Sequence, residues 1–335
     1  MLIQYTVPAP PMGAIEMADN VGLQVTAVQT AMELDLFTII ADGHHRLEQI
    51  GKATGCHHHG LRTLLDALCP TGLLQQAEGR YELTPTAEAY LVRGSPAYCM
   101  PIYLAWLQNR ARFIDFVRTG RASIDLTAPE AEALWVAYAA PARLQWPELA
   151  PRAREQWIAA GITPATVPGA RILDLGCGAG YKSFCLLQAD PSAHVTALDR
   201  PKVLAVAEDI AAAMGVSHQV TFTSNDVADA FFDETFNIVL FGSLLHYYND
   251  ATVTELLRKA HHSLSSAGIV VINTRVIDDQ RSDSVALLSA IDVCNCAPYA
   301  QHRTFREYQQ LLVSAGFDDV SRPTPFMIFG RKTEH

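Results

Sequence analysis

The chain has no CxxC pair. Its seven cysteines, Cys56, Cys69, Cys99, Cys177, Cys185, Cys294 and Cys296, are scattered and odd in number, which argues against a disulfide framework. No apolar stretch approaches bilayer length, and the opening MLIQYTVPAPPMG lacks the basic segment, apolar run and cleavage site of a secretory leader. No membrane span is expected, and the cytoplasm is the expected compartment. Positive charge is scarce: 25 Lys and Arg stand against 35 Asp and Glu, for a formal net charge of -10. Affinity for a phosphate backbone comes from Lys and Arg displacing counterions, so no nucleic-acid partner is expected. Internal repeats, low-complexity tracts and long charge runs are also missing, which excludes a solenoid and a disordered tail. With 49% hydrophobic and 18% charged residues, the chain has enough apolar surface to be globular throughout.

What is present begins with helical spacing. Val21, Val25, Val28, Met32 and Leu36 predict one amphipathic helix from Met17 to Ile40, ending near Ala41-Asp42-Gly43. Shorter helical patterns follow over Leu47 to Thr54 and Gly60 to Leu68, then a hairpin-like piece around Glu78-Gly79-Arg80-Tyr81-Glu82-Leu83. Thr84-Pro85-Thr86 starts another helix, with Thr84 or Thr86 as its cap. Helix, helix, helix, hairpin reads as a winged helix. Its third helix, His57 to Leu68, carries one Arg and one Asp, too few cations and amides to read a DNA groove. His57, His58 and His59 point about 100° apart on a helix and do not converge on one ion. They read as a solvated helix start.

Residues 101 to 168 keep helical spacing and hold Trp106, Trp135, Trp146 and Trp157. They read as linking helices whose tryptophans fill a core, with some free to roof a pocket. From Ala170 the pattern changes to short apolar runs: Arg171 to Leu175, His194 to Leu198, Gln219 to Phe222, Phe236 to Phe241 and Gly268 to Asn273. Helix-length segments separate them, which predicts a parallel sheet with helices on both faces and ligands beyond the carboxyl ends of the strands. The expected organisation is a winged-helix-like domain over 1–100, linking helices contributing to a substrate pocket over 101–168, and a doubly wound, Rossmann-like α/β domain over 169–335.

Chemistry enters at the first of these strands, which runs into Leu173-Asp174-Leu175-Gly176-Cys177-Gly178-Ala179-Gly180. Three glycines in a strand-to-helix turn let backbone approach a ligand closely. The turn has neither the P-loop Gly-Lys-Ser/Thr nor G-x-G-x-x-G, whose third glycine would fall on Tyr181 or Ser183. Asp199, ending the second strand, is placed to accept both hydroxyls of a ribose. Asp226, after the third strand, is placed to take an adenine amino hydrogen, with Val227 over the ring. Together they describe an adenosine without demanding a phosphate.

The motifs appear in order: Asp174 to Gly180, Leu198-Asp199-Arg200-Pro201-Lys202-Val203-Leu204, Asn225-Asp226, Leu244-Leu245-His246, and His302-Arg303-Thr304 leading to Leu311 to Phe317. With Tyr81 to Ala87 and Gly94 to Tyr98, they make the chain resemble, over nearly its whole length, class I methyltransferases. Within that class it is most similar to the small-molecule O-methyltransferases with an N-terminal winged-helix dimerisation domain. The resemblance implies S-adenosylmethionine as cofactor, a homodimer seamed by the Met17 to Ile40 helix, and acceptors of secondary metabolism. It implies that Asp174, Gly176, Gly178 and Gly180 hold the methionine portion, Asp199 the ribose, and Asp226 and Val227 the adenine. Gly242 and Ser243 then lie beside the sulfonium, and His246 is the catalytic base, with His302 beside it. Neutral imidazole near its usual pKa of about 6.5 suits that role.

Two positions depart from the plant members of that family, which flank the histidine with carboxylates. Thr274 and His302 stand there instead, leaving imidazole without the partner that fixes its tautomer and raises its basicity. Relatives that methylate the carbon of an α-keto acid hold a metal between this histidine, an acid directly after it and a later histidine. Here Tyr247 replaces that acid, so the metal reading would need Asp250 or Asp292 beside His246 and His302, and no metal is assigned. The Trp-rich, Met-containing linking helices favour a closed apolar cavity and a small, largely apolar acceptor, with aromatic compounds among the candidates. A cofactor-binding protein that has lost its chemistry is the remaining alternative.

Overall fold

A computed structural model of the chain describes residues 12–229 and 235–333. It divides into two compact units, Met1–Leu107 and Gln108–His335.

The first unit opens with helices α1 (Gly13–Glu33), α2 (Leu36–Ala41), α3 (Leu47–Thr54) and α4 (His58–Leu68). A hairpin of β1 (Leu74–Ala77) and β2 (Arg80–Leu83) follows, then α5 (Pro85–Leu91) and the start of α6 (Met100–Ala111). The single helix expected from Met17 to Ile40 is two. The chain breaks at Asp35, which is left-handed with φ 53°, and its carboxylate accepts from Thr38 Oγ1 at 2.7 Å and from the Arg93 guanidinium at 2.8 Å. Helices α1 to α4 and the hairpin close on a core of Ala31, Leu36, Phe37, Ile50, Leu65 and Leu74. Each large side chain there contributes on the order of 1.5–3 kcal/mol by leaving water. The histidines at the start of α4 are exposed, and Thr84 caps α5 by accepting from the Ala87 amide.

The second unit contains α7 (Phe113–Thr119), α8 (Glu132–Ala139) and α9 (Ala142–Ala159), so from Gln108 onward the linking segment packs as part of the unit that holds the sheet. Then come β3 (Arg171–Leu175), α10 (Tyr181–Leu187), β4 (His194–Asp199), α11 (Pro201–Ala213), β5 (Val220–Ser224), β6 (Phe236–Gly242), α12 (Asp250–Ser263) and β7 (Leu264–Asn273). The unit ends with α13 (Ser284–Cys294), α14 (Phe305–Ser314), β8 (Asp319–Thr324) and β9 (Met327–Arg331). The sheet order is β5-β4-β3-β6-β7-β9-β8, parallel from β5 through β7. Strands β9 and β8 add antiparallel at one edge, so the sheet is mixed rather than purely parallel. Side chains alternate between faces as strand geometry requires. Ile172, Val195, Ile238 and Val271 join the core beneath α9, α10 and α11, while Leu173, Leu198, Val239 and Ile272 join the one beneath α12 and α14. Two apolar faces explain why these strands read as unbroken hydrophobic runs.

Candidate active site

The chain winds β3, β4 and β5 outward in one direction and returns to place β6 on the other side of β3. Their neighbouring carboxyl ends therefore form the crevice in which doubly wound sheets bind ligands. Gly176, Asp199 and Gly242 stand at or just past the ends of β3, β4 and β6.

Backbone hydrogen bonds lock the glycine turn. The Gly176 and Cys177 amides both donate to the Leu198 carbonyl, at 2.9 and 3.1 Å, and the Gly180 amide donates to Cys177. Left-handed φ values of 69°, 57° and 73° at Gly176, Gly178 and Gly180 require glycine for conformational freedom. A Cβ at Gly180 would come within 2.2 Å of the Phe184 ring, whereas one at Gly178 would meet nothing within 4 Å. Gly178 thus opens onto free space. Its amide donates to Asp199 Oδ2 at 2.8 Å, and the Arg200 amide to Asp199 Oδ1 at 2.7 Å. These bonds fix the half-buried Asp199 carboxylate at the crevice rim, although burial pushes its pKa upward against them. Below the turn, Asp174 is buried and accepts from Ser183 Oγ at 2.6 Å. Burial raises it to about 7, opposed by that hydrogen bond and by Lys182. Past β5, Asp226 is exposed and accepts from the Ala228 amide, while Val227 is buried.

Beyond β6 the chain turns sharply. Ser243 takes φ 57°, a strained value for a residue with a side chain, and its amide donates to the Asn273 carbonyl at 2.8 Å. The single 3-10 turn Leu245–Tyr247 then buries His246. His246 Nδ1 faces Thr274 Oγ1 at 3.5 Å, and its ring centre lies 5.5 Å from that of His302. His302 Nε2 lies 3.2 Å from Ser289 Oγ, while its buried Nδ1 has no hydrogen-bond partner among the described residues. Burial, then His302, Arg303 and Lys182, hold His246 down to about 3. Burial and Arg275 hold His302 down to about 4. Both imidazoles are therefore neutral at pH 7. Beside them the Trp135 ring meets Tyr247 edge-on at 5.2 Å, giving an aromatic wall.

Among the described residues no group of three or more His, Cys, Asp and Glu side chains is arranged to hold a metal ion. Of the acids that would complete a site at His246 and His302, Asp250 is paired with Arg303 at 2.7 Å and Asp292 with Arg110 at 2.6 Å.

Against known proteins, residues 166–318 match the O-methyltransferase domain and residues 23–93 the O-methyltransferase dimerisation domain. The chain belongs to the O-methyltransferase family. It is an S-adenosylmethionine-dependent methyltransferase, and S-adenosylmethionine is its cofactor. Over 309 residues it is 27% identical to the tetracenomycin polyketide synthesis 8-O-methyl transferase TcmO of Streptomyces glaucescens, with 88% of each chain covered. Over 318 residues it is 27% identical to the 3-hydroxy-5-methyl-1-naphthoate 3-O-methyltransferase of Streptomyces sahachiroi, covering 89% of this chain and 88% of the relative. The structure of human N-acetylserotonin methyltransferase in complex with S-adenosylmethionine superposes with a TM-score of 0.71 at 20% identity, covering 98% of this chain and 100% of that one. At that identity the likeness is one of fold.

The residues of this O-methyltransferase fit the cofactor: a glycine turn open at Gly178, a braced carboxylate at Asp199 and a strained approach at Ser243. Sequence reading gave no role to Arg303, although it lies in the His302-Arg303-Thr304 motif. Its guanidinium is 1% exposed and donates to the carbonyls of Leu245 and Tyr248, on either side of His246, as well as to Asp250. The Gln301 amide donates to the His246 carbonyl at 2.8 Å. The 301–303 segment thus holds the histidine turn in place. It is itself fixed by the capping box of α14, in which Thr304 and Glu307 bond reciprocally. The burial of an arginine depends on partners distant in sequence, and no local pattern announces it.

Proposed function

We propose that this enzyme methylates a hydroxyl of a small, largely apolar aromatic acceptor and that His246 takes the hydroxyl proton. The observation that carries the reading is a buried, neutral imidazole at the switch-point crevice, next to Gly242–Ser243 and an aromatic wall. In the tautomer that carries its proton on Nδ1, facing Thr274 Oγ1, Nε2 keeps the lone pair that accepts the proton. When bound, S-adenosylmethionine supplies a methyl group on a positively charged sulfur. A hydroxyl oxygen that takes up that methyl would become far more acidic than imidazolium. A weakly basic His246 therefore suffices as the proton's destination. The chain's larger contribution is alignment, which Arg303 and Gln301 support by fixing the turn. Curated relatives named for a polyketide and for a hydroxynaphthoate support an aromatic acceptor.

The enzyme acts as a homodimer in this reading. The dimerisation-domain match supports it, as do the exposed Met17, Val21 and Val25 spaced along one face of α1. The decisive assay incubates the enzyme with methyl-labelled S-adenosylmethionine and a panel of hydroxynaphthoates and polyhydroxylated polycyclic aromatics. The label should appear as a methyl ether. His246→Gln should lower turnover about 10²- to 10⁴-fold while cofactor affinity stays unchanged. Full activity in that variant, or label found on carbon, would overturn the assignment.

A further inference from the structure

The second residue of α10, Lys182, follows the glycine turn and folds its half-buried side chain back across the end of β6. Its Nζ lies 3.3 Å from Ser243 Oγ, and its stem passes Gly242 so closely that a Cβ there would sit 3.5 Å from Cδ and 3.7 Å from Nζ. The lysine stem therefore runs in van der Waals range of the Gly242 backbone. The helix that carries Lys182 is anchored from outside, since Trp157 Nε1 donates to the Lys182 carbonyl at 2.7 Å. The ammonium is thereby set between the glycine turn and Ser243, the two segments assigned to the methionine end of the cofactor.

An ammonium has three donors, and among the described residues this one meets a single neutral hydroxyl at long range. Asp174 lies close enough to oppose the downward pull of burial on Lys182, but its own nearest hydrogen bond is to Ser183. Strand-to-helix turns commonly bind acidic groups through backbone amides. Here the amides of Gly176, Cys177, Gly178 and Gly180 are all engaged by Leu198, Asp199 and Cys177. The lysine side chain adds a positive group at this turn, beside Gly242 and Ser243.

We propose that Lys182 binds the α-carboxylate of the methionyl part of S-adenosylmethionine. The inference rests on the reading that the Gly176 turn and Gly242–Ser243 hold the methionine end. It adds a charge-assisted contact that the glycine turn does not supply.

Two cofactor products separate this role from a structural one. S-Adenosylhomocysteine carries the amino-acid carboxylate, and 5′-methylthioadenosine keeps the adenosine and sulfur but lacks it. Calorimetric titration of Lys182→Gln should show S-adenosylhomocysteine weakened roughly 10- to 100-fold, with 5′-methylthioadenosine bound as by the wild type. Lys182→Arg should recover part of the loss. Unchanged S-adenosylhomocysteine affinity in Lys182→Gln would overturn the proposal, as would a parallel loss of both ligands, which marks a structural lysine. Wild-type enzyme that binds both ligands equally would instead remove the underlying reading of the methionine end.

Discussion

His246 has a hydroxyl and a second imidazole for neighbours where a carboxylate would raise its basicity. The consequence is measurable without an acceptor. In the unfolded chain a histidine titrates near 6.5, whereas in the native protein His246 is held down to about 3 and His302 to about 4. Above 6.5 both states are unprotonated and the histidines add no pH dependence. Below it the unfolded chain takes up protons that the native protein refuses, so these residues make stability fall as pH drops from about 6.5 toward 4. Asp174, raised to about 7, acts in the opposite direction over that range, because the native carboxyl takes up a proton first. Comparison with His246→Gln cancels the Asp174 contribution. Denaturation midpoints measured from pH 7 to pH 4 should fall more steeply for wild type than for the variant, and parallel curves would contradict the burial of a neutral imidazole. The roles of His246, His302 and Asp199 remain proposals, but their positions after strands or in ordered motifs were legible in the sequence. The clamp by Arg303 and the position of Lys182 were not, since both depend on side chains that bend back to residues about 55 and 61 positions away.

At the scale of elements, α1 leaves a row of apolar side chains exposed. Met17, Val21 and Val25 recur four residues apart and are 68%, 54% and 39% exposed, so one apolar stripe faces solvent in the single chain. If a second copy covers it, Val21→Asp combined with Val25→Asp should convert the enzyme from dimer to monomer in sedimentation velocity, with the α2–α5 core unaffected. A dimer that survives both charges would place the seam elsewhere. The spacing of α1 was readable, but the break before α2 was not. Asp35 is held left-handed partly by Arg93, 58 residues later, a contact that periodicity does not encode. The β8–β9 edge escaped for another reason: β8 contains Arg322 and Pro323 and is largely exposed, as suits an edge strand rather than a buried one.

Over the whole molecule, the order of the strands explains why residues spread from Asp174 to Gly242 meet at one crevice. Parallel pairing of β3 with both β4 and β6 brings Leu175 level with Leu198 on one side and Phe241 on the other. The glycine turn, Asp199 and Gly242 follow at the same level. That convergence was legible from alternating strands and helices, because a doubly wound sheet leaves few other places for a ligand. Among the described residues no helix is long and apolar enough to cross a membrane. The claim on which the rest depends is that this crevice binds the cofactor through Asp199. Isothermal titration of wild type and Asp199→Ala with S-adenosylmethionine and S-adenosylhomocysteine tests it most directly, with thermal melts to confirm that both are folded. Wild type should bind both on the order of micromolar, and the variant should lose at least about 100-fold. A folded wild type that binds neither, or a variant that binds as well as wild type, would contradict the account.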